Sequence, residues 1–474
     1  MYLRKNRLLL FIIPVLAIII SSCSSSRETN VKHGSGYNFK AGYPEFRMSA
    51  FGFVDENEST QLKVTTQLIK GSLIYKQQDD SLIARVSISI KIIDTDNPNN
   101  IISEKHVKQK ITTKNEQINS SRESVKSEFT FPVSPSNYKT IVTVTDLNSS
   151  KKISQEANTY IPETKKGAYS LSSIQMYGKE IGETSWKQIN TYDVKGKIDS
   201  LRFVFQIISP RSKKKMRLNS RLLRFDSDTS YTRPMHHSNY SPSAIEYKGI
   251  DYDKETELQS NRRVLNDYKS IFIEYKFETQ ERGNYRFEVT AQKGNQEEIY
   301  KGRDFGVKSK NYPAIQSVRE LAKPLIYLMG EKDHKELMQI SDNDSLKKEM
   351  DRFWLKNVGN AQKARSVIRL YYQRVEEANK QFSNFKEGWK TDPGMIYILF
   401  GSPWYTENHL KSLTWYYSYN HQDPDYTFNF FQPKLKNKYY PFTHYLLQRT
   451  NNYYTVQYMQ RQLWLTGQIL TRQL

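Results

Sequence analysis

The side chains that could carry chemistry in this chain are few, and they match no known catalytic pattern. The sequence lacks the His-Glu-x-x-His, Gly-x-Ser-x-Gly and phosphate-loop motifs of common enzyme classes. Two weak metal-ligand candidates are a calcium-like start and a dispersed set of imidazoles and carboxylates: Asp251, Asp253 and Glu255; His409, His421, Asp423, Asp425 and His444. The first lacks the turn glycine and the closing glutamate of a calcium loop, and the spacing of the second requires no metal. We therefore predict no catalytic residue, no metal and no cofactor.

The N-terminal residues predict a lipid attachment site at Cys23, the single cysteine of the chain. Basic residues precede an apolar run from Leu8 to Ile20, and small residues follow it. This order is typical of a secretory signal peptide, here residues 1–22. The cysteine after small residues resembles the bacterial lipobox, which implies acylation of Cys23. The alternative is an anchor helix with an incidental cysteine, for which the apolar run is short.

Acylation of Cys23 would leave the exported protein without disulfides or thiolate ligands. We expect residues 23–40, which are rich in small polar side chains, to form a flexible tether. The lipid would hold the protein in the outer membrane. No acidic run follows the cysteine, which favours the periplasmic leaflet over the cell surface and leaves the surface open as an alternative.

The chain has 474 residues and a net charge of +21. An exported basic protein does not meet nucleic acid, so anionic lipids, acidic glycans and acidic proteins are its expected neighbours. The densest basic run includes Arg211, Lys213, Lys214, Lys215 and Arg217. This run is either a patch for an anionic surface or a solvated loop or strand edge whose lysines block unwanted strand pairing.

The elements that must position these groups are mostly β in the first two thirds of the chain. Arg85 to Ile92 and Arg202 to Ile207 alternate between apolar and polar residues, and polar turns separate such segments at short spacing. We predict two β-sandwich-like domains, over residues 41–162 and 165–308. Aromatic residues, 13% of the chain, supply large side chains for their cores.

From residue 312 to 474 the pattern becomes α+β. A long helix is predicted from Asn360 to Phe382, where apolar residues recur three or four apart, with Arg374 and Glu377 facing away from the apolar stripe. Shorter helices and strands are predicted as follows: helices over 315–329, 346–355 and 459–470, and strands over 395–400, 413–419, 426–431 and 439–447.

One segment of this region has a recognisable family pattern, Gly388-Trp389-Lys390-Thr391-Asp392. Together with Trp354 upstream and Trp415-Tyr416 downstream, it resembles the GWxTD domain, a family of exported proteins best represented among Bacteroidetes. The resemblance covers residues 312–474 and implies a shared fold without a defined activity. Many relatives carry a basic residue after the aspartate, where this chain has Pro393.

The motif admits two interpretations. Asp392-Pro393-Gly394 before an apolar run is typical of a tight turn leading into a strand, with Trp389 pinning the turn to the long helix. Alternatively, Trp389, Asp392 and Trp404 form a cleft for a sugar or peptide, in which rings stack and a carboxylate accepts hydrogen bonds.

Three Asp-Ser-Leu segments resemble sites of O-glycosylation in exported Bacteroidetes proteins. Their serines are Ser81, Ser200 and Ser345. The resemblance implies glycosylation at these positions, although a serine-rich chain contains such segments by chance as well.

Three functional hypotheses follow. The first is a non-enzymatic outer-membrane lipoprotein that acts as a scaffold or accessory subunit of an envelope complex for outer-membrane protein assembly or secretion, with a barrel and other lipoproteins as partners. The second is a glycan-binding or glycan-processing lipoprotein that uses the aromatic-rich C-terminal domain. A weaker third hypothesis is a tether to peptidoglycan or lipopolysaccharide through the basic run between Arg211 and Arg224.

Overall fold

The computed structural model describes much of the chain after residue 30. The described residues are 31–32, 39–161, 169–208, 215–236, 246–247, 249–266, 270–278, 280–294, 298–418, 425–435 and 442–472. Several predicted features lie outside them: Cys23 and the signal peptide, Arg211, Lys213 and Lys214 of the basic run, and His421 and Asp423 of the dispersed metal candidate.

The first β-sandwich is built from antiparallel strands whose apolar residues alternate inward. Its strands, preceded by a short strand β1 (Val31–Lys32), are β2 (Phe46–Val54), β3 (Thr60–Ile69), β4 (Lys76–Gln78), β5 (Ser81–Asp94), β6 (Ile101–Thr113), β7 (Ser124–Pro132), β8 (Asn137–Asp146) and β9 (Lys152–Tyr160). One sheet has the order β2-β3-β7, and the other has the order β4-β5-β8-β9 with β6 also paired to β5. Val86 and Ile88 of the second sheet share a buried core with Met48 and Val64 of the first.

The second β-sandwich has two larger sheets. Its strands are β10 (Ser170–Leu171), β11 (Gln175–Glu180), β12 (Lys187–Ile189), β13 (Asp193–Val194), β14 (Ile198–Ile208), β15 (Met216–Ser227), β17 (Ile250–Leu265), β18 (Ser270–Glu278), β19 (Gly283–Lys293) and β20 (Ile299–Val307). The short strand β16 (Glu246–Tyr247) lies outside both sheets and pairs with Lys434–Leu435 of the C-terminal domain. One sheet has the order β1-β20-β19-β15-β17 with β13 beside β20, and the other β10-β14-β11-β12 with β18 beside β14. The rings of Phe203 and Phe287 stack between the sheets with centroids 4.5 Å apart.

The C-terminal domain combines helices with a small sheet. Its helices are α1 (Val318–Ala322), α2 (Glu331–Gln339), α3 (Asn343–Val358), α4 (Ala361–Phe382), α5 (Asp392–Phe400) and α6 (Tyr453–Leu465), and its strands are β21 (Tyr405–Asn408), β22 (Ser412–Tyr417), β23 (Tyr426–Phe431), β24 (Lys434–Leu435) and β25 (Leu446–Leu447). The sheet has the order β21-β22-β23-β25. The predicted fold class, mainly β followed by an α+β region, is confirmed.

Two local predictions for this domain are wrong. Residues 395–400 belong to helix α5, not to a strand, and every residue of that helix is buried. Arg374 does not face away from the core: its side chain is buried and donates to the carbonyl oxygens of Ile398 and Leu399 at 3.3 and 3.1 Å. Neighbouring elements cover both Arg374, which the sequence pattern places in solvent, and residues 395–400, which it places in a sheet.

The segment that we predict to be a flexible tether contains a short strand. Val31 and Lys32, within the predicted tether, run parallel to β20 with Val31 opposite Gly302. Among the described residues, the structure contains no helix long and apolar enough to cross a bilayer.

Candidate functional site at the domain junction

The Gly-Trp-x-Thr-Asp segment forms a helical entry, not a turn into a strand. Residues Gly388–Lys390 make one 3-10 turn. The Thr391 hydroxyl then donates to the Gly388 carbonyl at 2.7 Å and accepts from the Gly394 N–H at 3.1 Å, so Thr391 caps helix α5. Pro393 lies in the first turn of α5, where a missing N–H costs nothing. The predicted tight turn is therefore replaced by a capped helix.

Gly388 of the motif and Gly394, two residues after it, are both required by close backbone contact. A Cβ atom on Gly388 would overlap the carbonyl oxygen of Ala378 in helix α4, and one on Gly394 would overlap the carbonyl oxygen of Gly388. Because these obstacles are backbone atoms, a larger residue at 388 would push the motif away from α4, and one at 394 would push the start of α5 away from Gly388.

Trp389 is a buried anchor with only 1% of its surface exposed. Its indole N–H donates to Glu387 at 3.0 Å, and its carbonyl oxygen accepts from the Tyr327 hydroxyl at 2.6 Å. The ring also lies 5.3 Å, centroid to centroid, from that of Tyr231, a residue that follows strand β15 of the second sandwich. The tryptophan thus joins the motif to the preceding domain.

Asp392 is buried against Arg449. The guanidinium donates to both carboxylate oxygens, at 2.7 and 2.9 Å, and the Leu447 N–H donates to one of them at 2.7 Å. The Thr232 hydroxyl forms a further hydrogen bond to the carboxylate. Burial alone would raise the pKa of Asp392, but the Arg449 charge and these hydrogen bonds hold it below the usual value. Asp392 is therefore ionised at neutral pH and fully engaged.

The partners of this pair define an arm from the second sandwich, which we take as residues 228–236. The arm follows β15 and has no regular secondary structure, and its base is closed by a 2.8 Å hydrogen bond from the Asp228 N–H to the Gly249 carbonyl. Arg449 donates to the carbonyl oxygens of Arg233 and Pro234 at 3.1 and 3.0 Å. The C-terminal domain therefore binds the arm largely through its backbone.

Side chains fix both ends of the arm. The Met235 side chain is fully buried in the hydrophobic core of the C-terminal domain, and its N–H donates to the Gln457 side chain at 3.0 Å. At the other end, the Lys386 ammonium lies 3.0 Å from the Asp228 carboxylate. Burial opposes ionisation of Asp228, but the Lys386 charge and hydrogen bonds from Ser230 lower its pKa to about 2.

A second contact holds the loop before the motif on the second sandwich. Arg282 pairs with the buried carboxylate of Glu387, and the Asn284 side chain donates to the Phe385 carbonyl at 2.9 Å. Burial raises the pKa of Glu387, but the Arg282 charge is the largest of several effects that lower it overall. The motif thus lies at a junction where two domains share buried charge.

Trp404 does not join this site. Trp389 and Asp392 are buried, whereas 72% of the Trp404 surface is exposed on the hairpin of β21 and β22. These three residues therefore do not form the predicted sugar or peptide cleft.

The described part of the basic run lies on an interior strand. Lys215 and Arg217 are exposed, and Arg217 belongs to β15, which pairs with β17 on one side and β19 on the other. Because β15 is paired on both sides, the basic residues on this strand do not lie at a sheet edge and do not block strand pairing there. Further along β15, the Arg221 guanidinium contacts Glu288 at 2.6 Å and Glu255 at 3.0 Å, so acidic neighbours balance part of the run.

The other predicted residues are dispersed. Ser81 begins β5, Ser200 lies within β14 between two paired strands, and Ser345 is exposed in the first turn of α3. Across the ranges that the structure describes, no group of three or more His, Cys, Asp or Glu residues is placed to hold a metal. His444 is buried, and burial together with the Lys386 charge lowers its pKa to about 3.

Sequence reasoning missed the partners of the motif aspartate. Arg449, Thr232, Met235 and Gln457 were not singled out, although all four contact the arm or belong to it. The one available signal was the length of chain between β15 and β17, because a long connection inside a domain often has a function.

The C-terminal part of the chain matches a known protein family. Residues 285–466 match the family model described as the GWxTD domain. The match begins in β19, so it includes the last two strands of the second sandwich as well as the helices. No curated protein matches the chain.

Solved structures give only distant similarities. They include a red sea bream transglutaminase (9% identity, TM-score 0.19, covering 56% of this chain and 31% of that one). Others are a Salmonella alpha-2-macroglobulin reacted with methylamine (12% identity, TM-score 0.18, 58% of this chain and 17% of that one) and fibronectin(III)-like modules of Clostridium thermocellum CbhA (10% identity, TM-score 0.15, 54% of this chain and 90% of that one). The chain thus spans under a third of the length of the first two proteins.

Proposed function

We propose that the protein is a non-enzymatic lipoprotein of the outer membrane that serves as a scaffold or accessory subunit of an envelope protein complex. The observation that carries this proposal is that the motif aspartate is buried and bonded to other parts of the protein. Asp392 has an arginine, a backbone N–H and a hydroxyl as partners, and its side chain is 5% exposed. A group that acts on a substrate has to reach it, whereas this carboxylate joins two domains.

Rigid coupling of domains suits a scaffold. The arm, the pair between Arg282 and Glu387 and the ring contact of Tyr231 with Trp389 fix the C-terminal domain against the second sandwich. A fixed arrangement presents surfaces on different domains at constant spacing, which favours simultaneous binding of several partners.

The hairpin of β21 and β22 offers a surface for one such partner. Trp404, Tyr405 and Leu410 are 72%, 53% and 90% exposed. Trp and Tyr are enriched among the residues that dominate binding energy at protein interfaces, which favours the neighbouring Trp404 and Tyr405 as a contact point.

The experiment that tests the function is purification of the C-terminally tagged protein from its native membrane in mild detergent, followed by identification of co-purifying proteins. A stoichiometric barrel with other lipoproteins, lost in Trp404→Ala but retained in Ser345→Ala, which changes an exposed residue of α3, would support the subunit role. A lone monomer that stays alone through crosslinking would overturn it. Cys23→Ala, which removes the proposed lipid site, is expected to release the protein into the soluble fraction.

A glycan-binding role is the second candidate, and the same hairpin favours it. The rings of Tyr405 and Tyr416 lie 5.7 Å apart beside Trp404, and adjacent aromatic faces can stack on sugars. Binding to a glycan array that Trp404→Ala abolishes, together with the absence of protein partners, would favour this role.

A further inference from the structure

A cavity of about 490 Å³ lies where the arm meets the C-terminal domain. Tyr231 and Pro234 of the arm line one side, and Tyr327, Tyr454 and Tyr458 line the other. Its volume is within the range of ligand pockets, and such pockets occur preferentially at domain interfaces. The cavity is distinct from the buried pair of Asp392 and Arg449, which does not line it.

The cavity adjoins side chains that already bind the backbone of the arm. Gln457 lines it and at the same time accepts the Met235 N–H of the arm. Pro234, whose carbonyl oxygen accepts from Arg449, also lines it. The C-terminal domain therefore has side chains suited to peptide backbone at the edge of the open space.

The lining combines aromatic side chains with net positive charge. Tyr454 and Tyr458 are 60% and 53% exposed and lie four residues apart on α6, so they share one helix face. Two arginines, Arg233 and Arg461, line the cavity with one carboxylate, Glu331. An apolar group bearing a nearby negative charge complements this surface.

We propose that the cavity is the docking site for an extended polypeptide segment of a partner protein, which inserts an aromatic or aliphatic side chain between the tyrosines and places a carboxylate near the arginines. This proposal rests on the scaffold function and names one of its contacts. The adjoining arm supports a peptide over a glycan, because its contacts to Arg449 and Gln457 are made through backbone carbonyl and N–H groups.

The test uses the full chain and random linear peptides displayed on phage. Peptides are selected on the wild type after counter-selection on the double variant Tyr454→Ala/Tyr458→Ala, and fluorescein-labelled products are measured by fluorescence anisotropy. We expect enriched peptides to pair an apolar anchor with Asp or Glu. Binding should weaken at least about tenfold in the double variant and when the acidic residue of the peptide is changed to its amide.

Met459→Ala is the matched control, since Met459 lies on the same helix α6, is 53% exposed like Tyr458 and does not line the cavity. It should leave peptide binding unchanged, and thermal melting should show that all variants fold. Failure to enrich any peptide over the counter-selected variant would overturn the proposal, as would a glycan ligand whose binding requires Tyr458. If the tagged protein still co-purifies with a stoichiometric partner in that case, the scaffold function stands and docking lies elsewhere; without such a partner, both proposals fail.

Discussion

Arginine faces carboxylate in two regions of this molecule, with opposite degrees of burial. At the domain junction, the side chains of Arg449 and Asp392 are 2% and 5% exposed. On the second sandwich, those of Arg221 and Glu255 are 38% and 43% exposed. The same chemical groups therefore fix the position of the arm in one place and decorate a sheet in the other.

The difference lies in desolvation. A buried pair is maintained only when hydrogen bonds satisfy its remaining atoms, and Arg449 does so by donating to backbone carbonyls of the arm. In the exposed pair of Arg221 and Glu255, which we call the exposed cluster, water screens the charges and can replace a lost partner. The motif aspartate therefore holds the arm in position by orienting Arg449, and it contributes little to the surface charge.

The largest expected effect comes from removing one partner of the buried pair. Asp392→Ala leaves the Arg449 charge buried without its counter-ion, so we expect the free energy of unfolding to fall by about 3–5 kcal/mol. Urea titration followed by tryptophan fluorescence measures the loss. The double variant Asp392→Ala/Arg449→Met is the control, and it should be less destabilised than Asp392→Ala alone. A loss below about 1 kcal/mol in the single variant would contradict the structural role.

Burial of His444 near the junction should make the stability of the protein depend on pH. Its folded-state pKa of about 3 lies below the ordinary 6.5, so in the window between these values the unfolded chain binds a proton that the folded chain does not. Stability is complete above pH 6.5 and is lost as the pH falls, by about 1.4 kcal/mol per pH unit at most. Urea titrations at pH 6.5 and 4.5 should therefore differ by roughly 2–3 kcal/mol.

The variant His444→Gln tests the assignment. A glutamine oxygen can still accept from the Asn384 amide, which lies 3.0 Å from the His444 ring nitrogen. We expect this variant to fold and to lose most of the pH dependence in that window. An unchanged slope would assign it to other groups.

How much of this site could be predicted depends on how local its causes are. Helix α4 was predicted because its apolar residues recur at helical spacing, and β23 because its pattern alternates. Helix α5 was mistaken for a strand because Met395 to Phe400 are apolar throughout and buried on all sides, which removes the periodicity that separates helix from strand. The cap at Thr391 and the proline two residues later were the signals that pointed to a helix.

The arm had no local signal of its role. Met235 lies in a polar segment, and its partner Gln457 is 222 residues away along the chain. The aspartate of the motif was identified, but its meaning depends on Thr232 and Arg449, which only the folded chain brings together.

A smaller effect is expected at the outer end of the arm. Asp228→Asn removes the charge that pairs with Lys386, and we expect a loss of about 1–2 kcal/mol after allowance for partial solvent screening. Because the folded-state pKa of Asp228 is about 2, this stability is present above the ordinary pKa of 3.8 and disappears as the pH falls towards 2. Thermal melting of both proteins at pH 6 and near pH 2 should show the difference narrowing; a constant difference would exclude the ion pair as its source.

The smallest effect is expected in the exposed cluster. Glu255→Gln removes one carboxylate that lies 3.0 Å from Arg221, while Glu288 remains as its partner at 2.6 Å. We expect a loss below about 1 kcal/mol, and high salt should reduce it further because exposed charges are screened. The loss in Asp392→Ala should persist in high salt, since no ions reach the buried pair. Urea titrations of both variants at low and high sodium chloride make the comparison directly. If Glu255→Gln costs as much as Asp392→Ala, or if salt reduces both losses equally, burial is not what separates the two clusters, and the special role of the motif aspartate would have to be abandoned.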